Sequence, residues 1–377
     1  MKTAATGLGL LGARFLRHPF YVRVHVTHRC NYRCGMCAVP GRADRPRELP
    51  LDAVRTVARR LRQLGARHVV LTGGEPFLRR DLPEIVAAFD ELGFSVRIQT
   101  NGGPQVTRQA LAAVAAAGAD DLSVSVDTLD AELQDRICGR RGALEHALRT
   151  LALSAALMPR GMSLANIVAS RHNFRQLPEL VTFFSERGIY TYITPVMVHP
   201  PAEEPAPDFR FRAQDESFAF GDVAAEERDT VVDRLIRLRR AGAGLTNSSR
   251  HLQDFRRFLS DRQCRWPCEA GRLSLDVLPD GQCSVCKEKP PLASVLDPAF
   301  LATFRSAAFR ERCAAITSAC PGCFYGEYRE PYYAARKVGV LAEWVRDWLQ
   351  LFHRGMAWNA RRQRLTALGQ SPSRSIR

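Results

Sequence analysis

Apolar and polar positions along the first 200 residues repeat in one order: a short apolar run, then a longer stretch of helical periodicity. The runs are rich in β-branched residues and bounded by glycine or polar residues, which is typical of buried strands. Six such runs stand at residues 21–27, 67–72, 94–100, 121–126, 162–169 and 189–198. Amphipathic stretches such as residues 51–64 connect them. Strands that alternate with helices predict parallel βαβ crossovers.

This order predicts an α/β fold, a partial (β/α)6 TIM-like barrel followed by a small cysteine-rich domain. Periodicity leaves open whether the sheet closes. The predicted divisions are an N-terminal arm (1–20), the βα core (21–200), a linker or lid with a helix (201–245), the cysteine-rich domain (246–330), and a basic amphipathic helix with a tail (331–377). The carboxyl ends of parallel strands share one rim, so the polar side chains there are expected to form one site.

Composition is that of an ordinary globular protein, with 377 residues, 46% hydrophobic and 25% charged. No apolar run reaches the roughly 18–20 residues that span a bilayer. Residues 4–16 are apolar, but the stretch is short and contains Arg14. We therefore predict a cytoplasmic protein without a signal peptide.

About half of the net charge of +15 lies at the end, where residues 331–377 hold nine Lys/Arg and two Asp/Glu. One interpretation is a helix that docks on an anionic membrane surface through Trp344 and Trp348. The other is a solvated helix whose apolar face packs on the cysteine-rich domain. No basic motif interleaved with aromatic residues is present, so nucleic acid is not expected as a partner.

The candidate chemistry lies in the eleven cysteines. Cys30, Cys34 and Cys37 follow the first strand at the spacing C-x3-C-x2-C. Three thiolates can hold a cubane iron–sulfur cluster by three irons and leave the fourth iron open for another ligand. The alternatives are a zinc knuckle that lacks a ligand, or scattered buried cysteines. Grouped spacings without an evident secretory signal favour metal ligands over disulfides.

This spacing resembles the signature of the radical S-adenosylmethionine (radical SAM) enzymes. The turn Gly73-Gly74-Glu75-Pro76, after the second strand, resembles the family's Gly-Gly-Glu-Pro motif. The resemblance implies that this motif holds the methionyl ammonium of SAM, since glycines let the backbone approach and a carboxylate or carbonyl accepts from the ammonium. It also implies contacts to SAM from polar residues at later strand ends, here Asn101, Ser125, Asp127 and Asn166, with Thr100 beside them.

Two positions depart from the family pattern. Met36 precedes the third cysteine, where the family prefers an aromatic residue. Residues 135–137 resemble a turn that follows the fourth strand in the family, but Cys138 stands where arginine is common. Neither departure removes a predicted cluster ligand.

The resemblance implies a mechanism. The first three cysteines bind a [4Fe–4S] cluster, and SAM chelates its open iron. One electron, from a partner such as flavodoxin or ferredoxin, splits SAM into methionine and a 5′-deoxyadenosyl radical, which removes a hydrogen atom from the substrate. The protein's share is positioning and the exclusion of competing donors.

A second group of cysteines begins with Cys268 and Cys286, which frame Gly281 in the form C-x12-G-x4-C, and ends with Cys320 and Cys323. This resembles the auxiliary-cluster domains called SPASM and twitch. Four thiolates would fill one auxiliary [4Fe–4S] cluster. Too few cysteines remain for the seven ligands of a full SPASM domain, so the single-cluster, twitch-like form is favoured. A zinc ribbon is the alternative.

Four cysteines have no predicted role: Cys138, Cys264, Cys283 and Cys313. We assign no catalytic side chain beyond the clusters. The leading hypothesis is net oxidation or rearrangement of a small-molecule or lipid-like metabolite, because auxiliary clusters in this family often accept an electron from a substrate radical. A peptide-modifying maturase of ribosomal peptides is the rival. A zinc-binding, nucleic-acid-binding protein is the alternative from another class.

Overall fold

The computed structural model describes residues 19–39, 47–158, 161–198, 212–213, 215–221, 223–261 and 266–346. Several features of the sequence lie outside these residues: most of the N-terminal arm, residues 201–211 of the linker, Cys264, Trp348 and the basic tail. No helix among the described residues is long and apolar enough to cross a bilayer.

Within the described ranges, nine strands form one sheet in the order β6-β5-β4-β3-β2-β1-β7-β8-β9. They are β1 (Tyr21–Thr27), β2 (His68–Gly73), β3 (Ser95–Thr100), β4 (Asp121–Ser125), β5 (Ser163–Ala169), β6 (Tyr190–Pro195), β7 (Ser274–Val277), β8 (Gln282–Ser284) and β9 (Ala293–Ser294). Strands β1 to β6 pair in parallel, each with the next along the chain. The predicted α/β fold and partial barrel are confirmed.

The α-helices with defined ends in the described part of the chain are α1 (Leu51–Gln63), α2 (Leu82–Asp90), α3 (Arg108–Ala116), α4 (Ala131–Cys138), α5 (Ala143–Leu157), α6 (Leu177–Glu186), α7 (Ala225–Arg240), α8 (Ser249–Asp261), α9 (Phe300–Arg305), α10 (Ala307–Ala319) and α11 (Gly326–Arg336). The residues interpreted as a turn after the fourth strand belong to α4, so that interpretation was wrong. Asp130 begins this helix by accepting a hydrogen bond from the backbone N–H of Leu133 at 3.0 Å.

The sheet stays open, and it extends beyond the predicted core. On the side away from β2, β1 pairs in parallel with β7, so Tyr21 lies beside Ser274 in register. The core and the cysteine-rich region therefore share one sheet.

The end of the described chain differs from the sequence prediction. The predicted boundary at 330/331 falls inside α11, and the helix predicted over 334–352 is interrupted at Lys337 before residues 338–346 resume it. Val338 and Val345 are 66% and 50% exposed. Trp344 is partly buried against the small apolar cluster that contains Phe20 and Leu273. The described part of this segment thus packs one tryptophan inward.

Alternation along the strands makes the inner face of the barrel polar. Val22, Val24 and Val26 of β1 join the apolar core under the helices, so Arg23 and His25 between them face the lumen. The same alternation directs these polar side chains of the next strands inward: His68, Thr72, Arg97, Gln99, Asp121, Ser123, Ser125, Asn166, Tyr192 and Thr194.

Helix α11 lies across the open side of this lumen. A Cβ on Gly326 would lie 1.6 Å from the hydroxyl oxygen of Tyr192 on β6, so the helix begins in direct contact with that strand. The next residue, Glu327, forms an ion pair with Arg23 of β1. The helix therefore links the strands on the two sides of the opening.

Candidate active site and cysteine groups

The loop that carries the first three cysteines (residues 28–39, the cysteine loop) leaves the end of β1 and lies against the turn after β2. The backbone N–H of Gly74 donates to the carbonyl of Thr27 at 2.8 Å, and that of Glu75 donates to the carbonyl of Arg29 at 2.8 Å. A Cβ on Gly74 would lie 2.1 Å from the Arg29 oxygen, and one on Gly73 would lie 2.0 Å from the Thr27 oxygen. Only glycines permit this approach.

The other side of the cysteine loop lies against the end of α4. The N–H of Arg33 donates to the carbonyl of Cys138 at 3.2 Å, and the N–H of Gly35 donates to the carbonyl of Ile137 at 3.0 Å. These carbonyls are among those that a helix leaves unpaired at its end. Gly139 ends the helix with φ +59°, and a Cβ there would lie 2.5 Å from the Arg33 oxygen. The loop is therefore fixed on both sides.

The three thiols of the loop lie close enough to act on one another. Burial raises the pKa of Cys30 to about 12, and the thiols of Cys34 and Cys37 add to that rise. The pKa of Cys34 is raised by a hydrogen bond with Cys138 and by burial. The ammonium of Lys287 acts in the opposite direction on Cys37, lowering its pKa, although burial and Cys34 raise it overall.

The Glu75 carboxylate is fully buried and engaged within the protein. Its Oε1 atom accepts from the Phe77 N–H at 3.0 Å and from the Thr100 hydroxyl at 2.8 Å, while Oε2 accepts from the Asn101 N–H at 2.8 Å. Burial raises its pKa, and these hydrogen bonds offset part of that rise. The carboxylate therefore joins the ends of β2 and β3.

Three side-chain amides form a closed group beside Cys30, and sequence reasoning had named only Asn101 among them. Asn101 Nδ2 donates to Asn31 Oδ1 at 2.9 Å, Asn31 Nδ2 donates to Gln105 Oε1 at 2.7 Å, and Gln105 Nε2 donates to Asn101 Oδ1 at 3.0 Å. The Asn101 amide also lies 3.9 Å from the sulfur of Cys30. The position of Asn31 between two cysteines was the one available sequence signal.

Three polar residues were predicted at the ends of β4 and β5. Two of their side chains have no hydrogen-bond partner among the described residues, and the third is hydrogen-bonded. Ser125 and Asn166 are neighbours in register, and neither side chain has a hydrogen-bond partner among the described residues. Asp127 instead accepts from the Val168 N–H at 2.7 Å, and burial raises its pKa to about 7. Asp127 thus ties β4 to β5, whereas the other two remain available to a ligand.

The four predicted auxiliary cysteines also come together, around the end of α10 and the β7–β8 hairpin. The pKa of Cys286 is raised well above its usual range by burial and by Cys323 and Cys268. Burial also raises that of Cys323, with further contributions from Cys268 and Cys320. Each of the four either influences the pKa of another member or is influenced by one, so the four thiols lie near one another.

Cys283 and Cys313 lie apart from this group, in the apolar core. Burial raises the pKa of Cys283 to about 12, and the thiol of Cys313 adds to that rise. A Cβ on Gly271 would lie 2.9 Å from the Cys313 sulfur. Cys283 and Cys313, two of the four cysteines without a predicted role, therefore pack as small buried side chains.

Residues 24–184, which run from β1 into α6, match the family described as the Radical SAM superfamily. These residues form a radical SAM domain. Members of this superfamily work with a [4Fe–4S] cluster and SAM.

Curated relatives of the radical SAM domain act on different substrates. A GTP 3′,8-cyclase of Marinobacter nauticus is 33% identical over 178 residues, which are 47% of this chain and 53% of the relative. A PqqA peptide cyclase of Bradyrhizobium diazoefficiens is 33% identical over 168 residues, 43% of this chain and 42% of the relative. The chain thus spans about half the length of the curated relatives it matches.

Solved structures share the fold over a larger part of the chain. SuiB of Streptococcus suis bound to S-adenosylmethionine has a TM-score of 0.61 at 16% identity and covers 80% of this chain and 68% of its own. The structure of anSMEcpe with bound AdoMet has a TM-score of 0.56 at 11% identity and covers 86% of this chain and 98% of its own. The shared fold therefore extends beyond the radical SAM domain.

The residues present fit the cofactors of a radical SAM enzyme. Every cysteine that the structure describes is a free thiol. No three His, Cys, Asp or Glu side chains in the described ranges converge on one point as ligands of a single ion would. Ligands of a cubane each bind a separate iron and stand further apart. The thiols of each cysteine group lie near one another but do not converge on one point, and this arrangement is compatible with the spacing that a cubane requires.

Proposed function

We propose that Cys30, Cys34 and Cys37 bind a [4Fe–4S] cluster and that SAM binds beside it across the ends of β1 to β5. The observation that carries this proposal is the contact of the Gly73–Pro76 turn with the cysteine loop, through the Glu75 N–H and the Arg29 carbonyl at 2.8 Å. Two motifs 40 residues apart thereby meet at one rim. When bound, cluster and SAM supply a 5′-deoxyadenosyl radical that removes hydrogen from the substrate.

The chain's own residues position these groups. Gly73 and Gly74 bring the backbone against the cysteine loop, and Pro76 starts the 3-10 turn that follows. Glu75 keeps the ends of β2 and β3 together. We propose Ser125 and Asn166 as the side chains that contact SAM, because their polar groups have no partner among the described residues. Asn101 and Asp127 act as supports of the site.

We further propose that the second group of cysteines binds an auxiliary [4Fe–4S] cluster with no open iron. The ligands would be Cys268, Cys286, Cys320 and Cys323. The Gly322 N–H lies 3.4 Å from the sulfur of Cys320, a contact that suits an anionic thiolate. A fully ligated cluster does not bind substrate, so its role would be electron transfer, which favours net oxidation or rearrangement.

The polar lumen favours a small polar substrate. Arg97 and Asp121 form an ion pair at 2.8 Å inside it. Gln99 and Thr194 face the lumen and, within the described residues, their side chains have no hydrogen-bond partner. A lipid-like substrate would leave these groups without partners, at a cost of about 1–3 kcal/mol for each one buried. We therefore narrow the hypothesis to a polar metabolite.

A peptide substrate is the second candidate. It is supported by the PqqA peptide cyclase among the relatives and by the fold shared with SuiB bound to the precursor peptide SuiA, at a TM-score of 0.58 over 83% of this chain. A peptide could present one polar side chain to the same lumen.

Anaerobic reconstitution tests the first proposal. With SAM and a low-potential reductant, the wild-type protein should form 5′-deoxyadenosine, and Cys34→Ala should form none. Cys313→Ala, in the apolar core, is the matched control and should retain the reaction. Equal product from the wild type and Cys34→Ala would contradict the assignment.

The substrate is tested in cells. We expect a deletion strain, compared with its parent by untargeted metabolite profiling, to accumulate a small polar metabolite. Accumulation of an unmodified peptide, seen by intact-mass analysis, would support the second candidate instead.

A further inference from the structure

We propose that Lys287 sets the reduction potential of the auxiliary cluster, with Glu327 as its opposing charge. This inference deepens the proposed function and rests on it, because it requires a cluster on the cysteine that precedes Lys287. Neither residue was singled out from the sequence.

The first observation is where this lysine stands. The chain has only four lysines among its 54 basic residues, and Lys287 directly follows Cys286. Its side chain is 15% exposed. An ammonium held this far from water beside a predicted ligand cysteine is an unusual placement. Lysines are rarely buried, and those that are buried are paired.

The second observation is what surrounds the ammonium. Its Nζ lies 2.9 Å from Glu327 Oε1 and 3.6 Å from the centre of the Tyr325 ring, over its face. Tyr325 stands two residues after Cys323, and its hydroxyl donates to Glu288 at 2.5 Å. The cation–π contact and the ion pair therefore hold the charge between the segments that carry two auxiliary cysteines.

Further contacts fix this geometry. The backbone N–H of Lys287 donates to the Tyr328 hydroxyl at 2.9 Å, which donates in turn to Asp276 of β7 at 2.7 Å. Glu327 is 14% exposed and also pairs with Arg23 of β1. Although burial alone would raise the pKa of Glu327, the two cations lower it to about 2, so it stays ionised.

The consequence for a cluster follows from Coulomb's law. An electron accepted at the cluster adds one negative charge, which a nearby cation stabilises and a nearby anion opposes. Screening by water and salt is weak at this depth. Lys287 should thus raise the reduction potential of the auxiliary cluster and Glu327 should lower it, in keeping with the known dependence of such potentials on local charge and exposure.

The test is a redox titration of the reconstituted holoenzyme followed by electron paramagnetic resonance. The auxiliary cluster is identified as the signal that added SAM leaves unchanged. Lys287→Met removes the charge and keeps the length of the side chain, Lys287→Arg keeps the charge, and Glu327→Gln removes the anion. Lys337→Met, at an exposed position, is the control.

We expect the midpoint potential of the auxiliary cluster to shift downward in Lys287→Met and upward in Glu327→Gln. It should lie near the wild-type value in Lys287→Arg, in Lys337→Met and in the double variant Lys287→Met/Glu327→Gln. A merely structural role would not give shifts of opposite sign. An unchanged potential, or two shifts in one direction, would overturn the inference while leaving the auxiliary cluster in place. A protein with no SAM-insensitive cluster would overturn the proposed auxiliary site itself.

Discussion

The Oε2 atom of Glu75 accepts the backbone N–H of Asn101 at 2.8 Å, and this hydrogen bond joins the ends of two neighbouring strands beneath the cysteine loop. In Glu75→Gln one carboxylate oxygen becomes an amide that cannot accept, so a buried N–H or hydroxyl loses its partner. We expect a loss of about 1–3 kcal/mol in the free energy of unfolding. Urea unfolding measures it, with the exposed Glu84→Gln as the control. Equal stability of the two variants would contradict this role.

Gly74→Ala should damage the first cluster site selectively. The added Cβ would lie 2.1 Å from the carbonyl oxygen of Arg29, so the cysteine loop must move. The auxiliary cysteines are on other segments. We therefore expect iron in the reconstituted protein to fall from about eight to about four per chain. Gly339→Ala, where a Cβ meets nothing within 4 Å, should keep the full amount. Full iron loading of Gly74→Ala would show that the approach is not required.

Asn166 and Asp127 should respond in opposite ways to substitution. Because Asn166 has no partner among the described residues, Asn166→Ala should leave stability unchanged and weaken SAM binding by about 0.5–1.5 kcal/mol, up to roughly tenfold. Asp127 accepts from the Val168 N–H, so Asp127→Ala should lower stability instead. Equilibrium dialysis with SAM and urea unfolding separate the two effects. A loss of stability in Asn166→Ala would show that Asn166 supports the fold, and would contradict its proposed role in SAM binding.

Glu330 provides a prediction on pH. Burial raises its pKa to about 7, above the usual value, although its Oε1 accepts from the Ser248 N–H at 2.8 Å. The folded state therefore binds the proton more tightly than the unfolded state, and stability falls as pH rises from about 4.5 through 7. Glu330→Gln removes this titration.

We expect the variant to gain stability relative to the wild type as pH rises from 5.5 to 7.5, with a slope of at most about 1.4 kcal/mol per pH unit. Urea unfolding of both proteins at each pH measures the difference, in which effects common to the two cancel. A difference that does not depend on pH would show that Glu330 does not titrate in this range.

The sequence allowed prediction of the first six strands because their apolar runs alternate with amphipathic helices, a signal that is local in the chain. The cysteine and glycine motifs could also be recognised because each is local in the chain. Both follow parallel strands, and the structure places them at one rim as expected. Strand β7 was not foreseen, since it has four residues and pairs with β1 about 250 positions away.

The residues that support the candidate site could not be predicted from the sequence, because they too meet through contacts between distant positions of the chain. Asn31 meets Gln105 across 74 positions, and Lys287 meets Glu327 across 40. No periodicity reports such pairs. The prediction of one continuous helix over 334–352 was wrong for a different reason. The apolar spacing continues through Lys337, but the helix is interrupted at that residue. Hydrophobic pattern predicts which face is apolar, and it does not predict where a helix breaks.

The most direct test of the account is the metal content of three reconstituted proteins. The wild type should hold about eight irons per chain. The variant with alanine at Cys30, Cys34 and Cys37 should hold about four and lose SAM cleavage. The variant with alanine at Cys268, Cys286, Cys320 and Cys323 should also hold about four. Stoichiometric zinc in the wild type, with no SAM cleavage, would contradict the account.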